Sequence, residues 1–177
     1  MNRTADVVIV GAGVIGSATA FELAKRGYKT LNIDKLPASG YGSTSNSCAI
    51  VRAHYSTWDG VAMAYEGFFY WDDWNKYLEV EDERGMAKYM KTGSIMFMLK
   101  GADHSKKSLN LFKEIGVEHE IWDLETLKKK MPIYSHDSYN GTSRPDEDDS
   151  FFDKSGDQIE GAVWTPGSGY VLSLIHI

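Results

Sequence analysis

Residues 6–34 carry an order of features that few folds accommodate. Asp6-Val7-Val8-Ile9-Val10 is a β-branched run of the kind that forms a strand buried on both faces. Gly11-Ala12-Gly13-Val14-Ile15-Gly16 follows at once, and then a helical stretch from Ser17 to Arg26. Gly27 is placed to stop that helix in the left-handed conformation, which glycine adopts without steric cost. A second short strand, Thr30-Leu31-Asn32-Ile33, ends at Asp34. A strand, a Gly-x-Gly-x-x-Gly turn, a helix, a strand and an acid therefore occur in sequence.

Each part has a physical task. Gly11 permits the tight turn out of the strand, Gly13 lets a pyrophosphate approach bare backbone, and Gly16 lets the helix pack closely on the sheet. The helix start offers unpaired N–H groups and partial positive charge to phosphates. A carboxylate at Asp34 accepts hydrogen bonds from ribose hydroxyls and repels a 2′-phosphate, which argues against NADP. The unit predicts dinucleotide binding in a Rossmann-like α/β fold, with the choice between FAD and NAD left open at this point.

The run from Val7 to Phe21 is uncharged, but it is too short for a membrane span and is broken by three glycines. It is a poor signal peptide because Asp6 offsets Arg3 and the helical pattern continues to Gly27. A cytoplasmic chain with no membrane span is expected. A net charge of −6 argues against nucleic acid as a partner, and a lone cysteine, Cys48, excludes an internal disulfide framework.

Behind the acid, Gly40-Tyr41-Gly42-Ser43-Thr44-Ser45-Asn46-Ser47-Cys48-Ala49-Ile50-Val51-Arg52 packs small and hydroxyl residues that suit close passage along a planar ligand. A flexible serine-rich linker is the plain alternative. The apolar return Cys48-Ala49-Ile50-Val51 argues against it.

Residues 11–34, residues 42–56 and Gly161-Ala162-Val163-Trp164-Thr165-Pro166-Gly167-Ser168-Gly169-Tyr170 together resemble the FAD-dependent amine and D-amino-acid oxidase family, in particular its sarcosine oxidases and dimethylglycine dehydrogenases. The resemblance implies FAD as cofactor. It implies that Gly11, Gly13, Val14, Ile15 and Gly16 meet the pyrophosphate, and that Asp34 and Lys35 meet the adenosine ribose and its surroundings. Gly42, Ser43, Thr44, Ser45, Asn46, Ser47, Cys48 and Ile50 would line the flavin and the middle of the cofactor. Asn46 stands where some relatives carry a histidine bonded to FAD, so attachment at this segment is non-covalent. Arg52 matches a position that holds a substrate carboxylate in sarcosine oxidases, a task that suits the guanidinium fork. A surface or structural ion pair is the other reading of Arg52. The second arginine of that loop is Ala49 here. His54 and Tyr55 are further candidates for the substrate pocket, though nothing in the spacing requires an acid–base role of His54, and a structural histidine is the simpler reading.

The implied activity is oxidation of the C–N bond of a small N-methyl or D-amino acid or related amine, with oxygen or another carrier taking the electrons. An NAD-dependent dehydrogenase and a non-catalytic nucleotide-binding remnant are the alternatives.

The remaining pattern predicts a helix over Gly60–Tyr77 with Met63, Phe68, Phe69, Trp71 and Trp74 facing a core, and a strand over Thr92–Leu99. It further predicts a helix over Ser105–Ile115 stopped by Gly116, and a helix over Leu124–Met131 capped by Asp123. The acidic run 146–149 lacks metal-ligand spacing and reads as a solvated loop. The expected organisation is an FAD-binding domain over 1–85 and part of a mixed-sheet substrate domain over 86–177. The tail after Tyr170 lacks the family's continuation and resembles translated sequencing-adaptor sequence. The chain is therefore read as an N-terminal fragment that is inactive by itself.

Overall fold

The computed structural model describes residues 4–83, 85–101, 103–137, 139, 144, 146, 147, 149, 150, 152–154 and 159–172. It is an α/β structure of two compact units, one holding the chain up to Ala49 together with Leu172, the other holding Ile50–Val171. The compact division thus falls after Ala49, 36 residues before the boundary anticipated between 85 and 86.

In the first unit, β1 (Val7–Val10) and β2 (Thr30–Ile33) pair in parallel, Val7 opposite Thr30 and Val10 opposite Ile33, with α1 (Val14–Lys25) as the crossover. The helix begins three residues earlier than the sequence pattern suggested, immediately after Gly13, so Gly16 lies inside its first turn. Its end is a Schellman turn: the Gly27 N–H donates to the Ala24 carbonyl, the Tyr28 N–H donates to the Leu23 carbonyl, and Gly27 sits at φ 86°.

The expectation that β1 is buried on both faces is not met. Alternate residues are exposed, Val8 at 55% and Val10 at 84%, because β2 is the only strand paired with β1 among the described residues. The β-branched run is correct for a strand, but burial depends on neighbours that the run does not encode.

In the second unit, β3 (Ile50–Val51) pairs antiparallel with β8 (Gly169–Leu172), and β4 (Lys88–Met90) completes that three-stranded sheet. The other sheet has β7 (Ile159–Thr165) at its centre, antiparallel to both β5 (Ser94–Leu99) and β6 (Glu120–Asp123). Gly161 in β7 approaches β6 so closely that a Cβ there would lie 2.1 Å from the Trp122 carbonyl oxygen.

Three helices cover these sheets, and one short helix continues the first. α4 (His104–Ile115) brings Phe112 into a core with Ala53, Val61, Phe68, Val117 and Val163. α5 (Leu124–Lys130) is capped by Asp123, whose Oδ1 accepts the Thr126 N–H at 2.8 Å, and buries Leu127 against Trp122, Ile159 and Ala162. The continuous helix anticipated over 60–77 is two helices, α2 (Trp58–Asp72) and α3 (Trp74–Leu78), interrupted at Asp73 with φ −125° and ψ 52°. Of its supposed core-facing set only Phe68 is buried. Phe69 and Met63 are exposed, while Trp71 and Trp74 stack on each other with centroids 4.4 Å apart. Among the described residues no helix is long and apolar enough to cross a membrane. Asp148 of the acidic run and the tail after Leu172 lie outside the described residues.

Candidate functional site

Two groups of residues are built separately, one in each unit. In the first, the turn after β1 is shaped by glycine. Gly11 sits at φ 113°, a conformation that side chains rarely adopt, and its N–H donates to the Ile33 carbonyl at 2.7 Å. Gly16 lies directly against that turn, since a Cβ on it would come within 2.1 Å of the Gly11 carbonyl oxygen and 3.5 Å of Ile9 Cγ2. The close packing of helix on strand anticipated for Gly16 is present.

Asp34, at the end of β2, reaches back to the turn. Its Oδ2 accepts the Ala12 N–H at 2.7 Å, and its Oδ1 accepts the Leu36 N–H at 2.9 Å. The Leu36 and Ala12 amides hold the Asp34 carboxyl below its ordinary range, so it is a carboxylate at neutral pH. The Lys35 amide also acts on this carboxylate, and its remaining lone-pair capacity suits an outside donor such as a ribose hydroxyl.

The segment anticipated to line a cofactor folds against the same turn. Gly40, buried at φ 80°, donates its N–H to the Ala12 carbonyl at 2.9 Å. Thr44 Oγ1 accepts the Val14 N–H at 2.9 Å, and it lies 3.0 Å from where a Cβ on Gly13 would stand. The N–H groups of Gly13 and Ile15 have no acceptor among the described residues. Ser45 Oγ and Asn46 Nδ2 both donate to the Gly42 carbonyl, and Ser47 Oγ accepts the Ala49 N–H. These bonds make 42–49 a self-supporting turn and not a free linker. Lys35, Ser43 and Cys48 are exposed.

The structure thus gathers Gly11, Gly13, Val14, Gly16, Asp34 and Thr44. It adds Ala12 and Asn32, which sequence reasoning did not single out, and Gly40, which opened the small-residue segment but was not among the expected cofactor contacts. Asn32 Nδ2 donates to the Gly16 carbonyl at 3.1 Å and so ties the first turn of the helix to β2. Its signal was a polar side chain inside an otherwise apolar strand. Ile50 belongs to the other unit, where it pairs with Tyr170.

Bare backbone at Gly13, the Gly13 and Ile15 amides without an acceptor among the described residues, and a carboxylate at the tip of the next strand are what a ribose-diphosphate needs. The residues fit the adenosine-diphosphate half of FAD.

In the second unit, Arg52 follows β3 with its side chain exposed, and its guanidinium has no acceptor among the described residues. Ala53 is buried, and His54 is partly buried, stacked on Phe112 at 5.6 Å with Nε2 3.1 Å from Thr165 Oγ1. Burial, then the Arg52 guanidinium, then His104 push the imidazole down to about 4, so it is neutral at physiological pH. Tyr55 is 46% exposed, and its carbonyl accepts from Ser108 Oγ. A groove of about 510 Å³ lined by Phe69, Tyr70, Asp72, Asp73, Lys76 and Tyr77 contains none of the anticipated site residues.

The βαβ unit and its turn define a dinucleotide-binding protein. Residues 6–172 match the family described as FAD dependent oxidoreductase (DAO), and the chain belongs to that family. It is 29% identical to the monomeric sarcosine oxidase of Bacillus sp. strain B-0618 over 149 residues, 82% of this chain and 37% of that protein. Among solved structures it resembles the L-proline dehydrogenase of P. horikoshii, with TM-score 0.69 and 20% identity over 96% of this chain and 38% of that one. It also resembles the glycine oxidase of Geobacillus kaustophilus, with TM-score 0.59 and 20% identity over 94% and 40%. The chain spans a little over a third of the length of the curated relatives it matches. The family's cofactor is FAD, which decides between the two dinucleotides left open above.

Proposed function

We propose that the protein containing this chain oxidises the C–N bond of a small amino acid or related amine, N-methylated or of D configuration, with oxygen or another carrier as electron acceptor. The carrying observation is the pair of amides at Gly13 and Ile15, without an acceptor among the described residues, in the turn that the Asp34 carboxylate also bonds, in a chain whose family is FAD dependent. When bound, FAD supplies the two-electron acceptor for the amine carbon. The chain's own residues do the rest. Gly13, Val14, Ile15 and Gly16 seat the diphosphate, Asp34 and Lys35 the adenosine ribose, and the turn 42–48 the middle of the cofactor. Asn46, already committed to the Gly42 carbonyl, has no side chain suited to a covalent bond with flavin, so binding here is non-covalent.

Arg52 is assigned to the substrate carboxylate, and its exposed guanidinium, without an acceptor among the described residues, supports that role. His54, neutral and committed to Thr165, supports a structural reading over an acid–base one. Tyr55 remains a candidate wall of the substrate pocket. Unpaired, exposed Cys48 suits a reducing compartment, and the cytoplasm is the proposed location. The division of labour is nucleotide binding by the first part of the chain and substrate binding by the second, with activity requiring the longer protein.

The test is turnover of N-methylglycine by the FAD-loaded longer protein that contains this chain. Arg52→Ala is expected to raise KM for N-methylglycine with little change for an amine lacking a carboxylate. Equal effects on both substrates overturn the assignment of Arg52. A colourless protein that takes up no flavin overturns the function itself.

A further inference from the structure

The second unit contains a buried cluster that nucleotide binding does not use. Thr165, at the end of β7, and Ser168, before β8, are both fully buried, and their hydroxyls lie 2.8 Å apart. Thr165 Oγ1 is also 2.9 Å from Ser94 Oγ at the start of β5 and 3.1 Å from His54 Nε2, 111 residues away in sequence. The turn carrying these hydroxyls is fixed independently. The Ser168 N–H donates to the Thr165 carbonyl at 3.2 Å, and the Tyr89 hydroxyl donates to the Gly167 carbonyl. His54 is thus tied to a rigid hub.

Arg52 lies between two attachments to that same hairpin. On one side Ile50 and Val51 pair with Tyr170 and Gly169, and on the other His54 bonds Thr165 while its ring stacks on Phe112. Between them Ala53 is fully buried, whereas the Arg52 side chain is exposed and without an acceptor among the described residues. A long, rotamer-rich side chain binds a carboxylate well only if its backbone is held, since fixing it at the moment of binding costs affinity.

We propose that His54 is a positioning residue for Arg52: its bond to the Thr165–Ser168–Ser94 hydroxyl hub pins the chain so that the guanidinium is presented from fixed backbone. The proposal rests on the carboxylate role given to Arg52 above. His54 touches neither substrate nor cofactor in this account.

Four variants test it. His54→Phe keeps the ring stack and removes the hydrogen bond, while Thr165→Val removes the same bond from the other end. His54→Gln restores an amide at the position of Nε2. Two readouts are taken: KM and kcat for N-methylglycine in the FAD-loaded longer protein that contains this chain, and amide hydrogen exchange over Ala53–Tyr55. His54→Phe and Thr165→Val are each expected to raise KM roughly tenfold with kcat within about twofold, and to speed exchange at Ala53–Tyr55. His54→Gln is expected to stay near wild type in both. Unchanged exchange in His54→Phe overturns the proposal whether or not substrate is turned over, as does a fall in kcat at constant KM or a failure of His54→Gln to rescue. Arg52→Ala is the fourth variant. If it leaves KM unchanged while His54→Phe still speeds exchange, the anchor is real but the carboxylate role is wrong, and the proposal falls with that role.

Discussion

The α-carbon of Gly16 faces the Gly11 carbonyl so closely that a β-carbon on it would stand 2.1 Å from that oxygen, well inside contact distance. The neighbour is backbone, and its position is set by the bond from the Gly11 N–H to the Ile33 carbonyl. Gly16→Ala therefore has to push the helix away from the strand. The expected outcome is a lower melting temperature for the first unit and weaker FAD binding by at least tenfold, read by calorimetry and by quenching of flavin fluorescence. Wild-type affinity in a folded Gly16→Ala protein contradicts the close packing.

Asp34 links the second strand to the glycine turn through the Ala12 N–H. Its carboxyl is held below the ordinary value of 3.8 by the Leu36 and Ala12 amides, so the unfolded chain binds the proton more readily than the folded one. The stabilisation is complete above about pH 3.8 and is lost as pH falls through the lower folded value. Asp34→Asn is expected to flatten the acid limb of the stability curve below pH 4 and to weaken ribose binding. Unfolding by denaturant at pH 2.5 to 6 checks the first effect.

His54 moves stability in another window. Burial first, then Arg52 and His104, lower it from 6.5 to about 4, so between those values the unfolded chain carries the proton and the folded chain does not. Stability contributed by the neutral imidazole is full above pH 6.5, declines as pH falls toward 4, and changes little below that. His54→Gln has no group to titrate there and is expected to lose this slope. A wild-type slope in His54→Gln contradicts the assignment.

These pairs mark how much was legible in the sequence. The order from Val7 to Asp34 was legible because each element there is specified by residues close to it: the three glycines of the turn, Gly27 at the helix end, and an acid one residue past the strand. Gly116 and Asp123 were legible for the same reason, as local stop and cap signals. The Val14–Thr44 bond spans 30 residues and the His54–Thr165 bond 111, and no local pattern encodes either. The exposure of Val8 and Val10 was misjudged because a β-branched run states strand propensity and not the number of neighbouring strands. The break at Asp73 was missed because the aromatic spacing runs through it unaltered.

Phe112 is fully buried at the meeting of α2, α4 and β7, where His54 stacks on it. Phe112→Ala is expected to cost about 3–5 kcal/mol by lost burial and the cavity left behind. Chemical denaturation of the second unit measures this directly. A cost below about 1 kcal/mol would mean that the site collapses freely, contrary to its position in the main core.

The central claim is that the turn from Gly11 to Gly16, with Asp34, seats a ribose-diphosphate whose 2′-hydroxyl is free. ADP-ribose titrated into isotopically labelled chain, followed by amide resonances, tests it most directly. The account predicts saturable shifts at Gly13, Ile15 and Ala12, and markedly weaker ones with the 2′-phosphorylated analogue. Shifts that avoid the turn, or equal affinity for the two ligands, would contradict it.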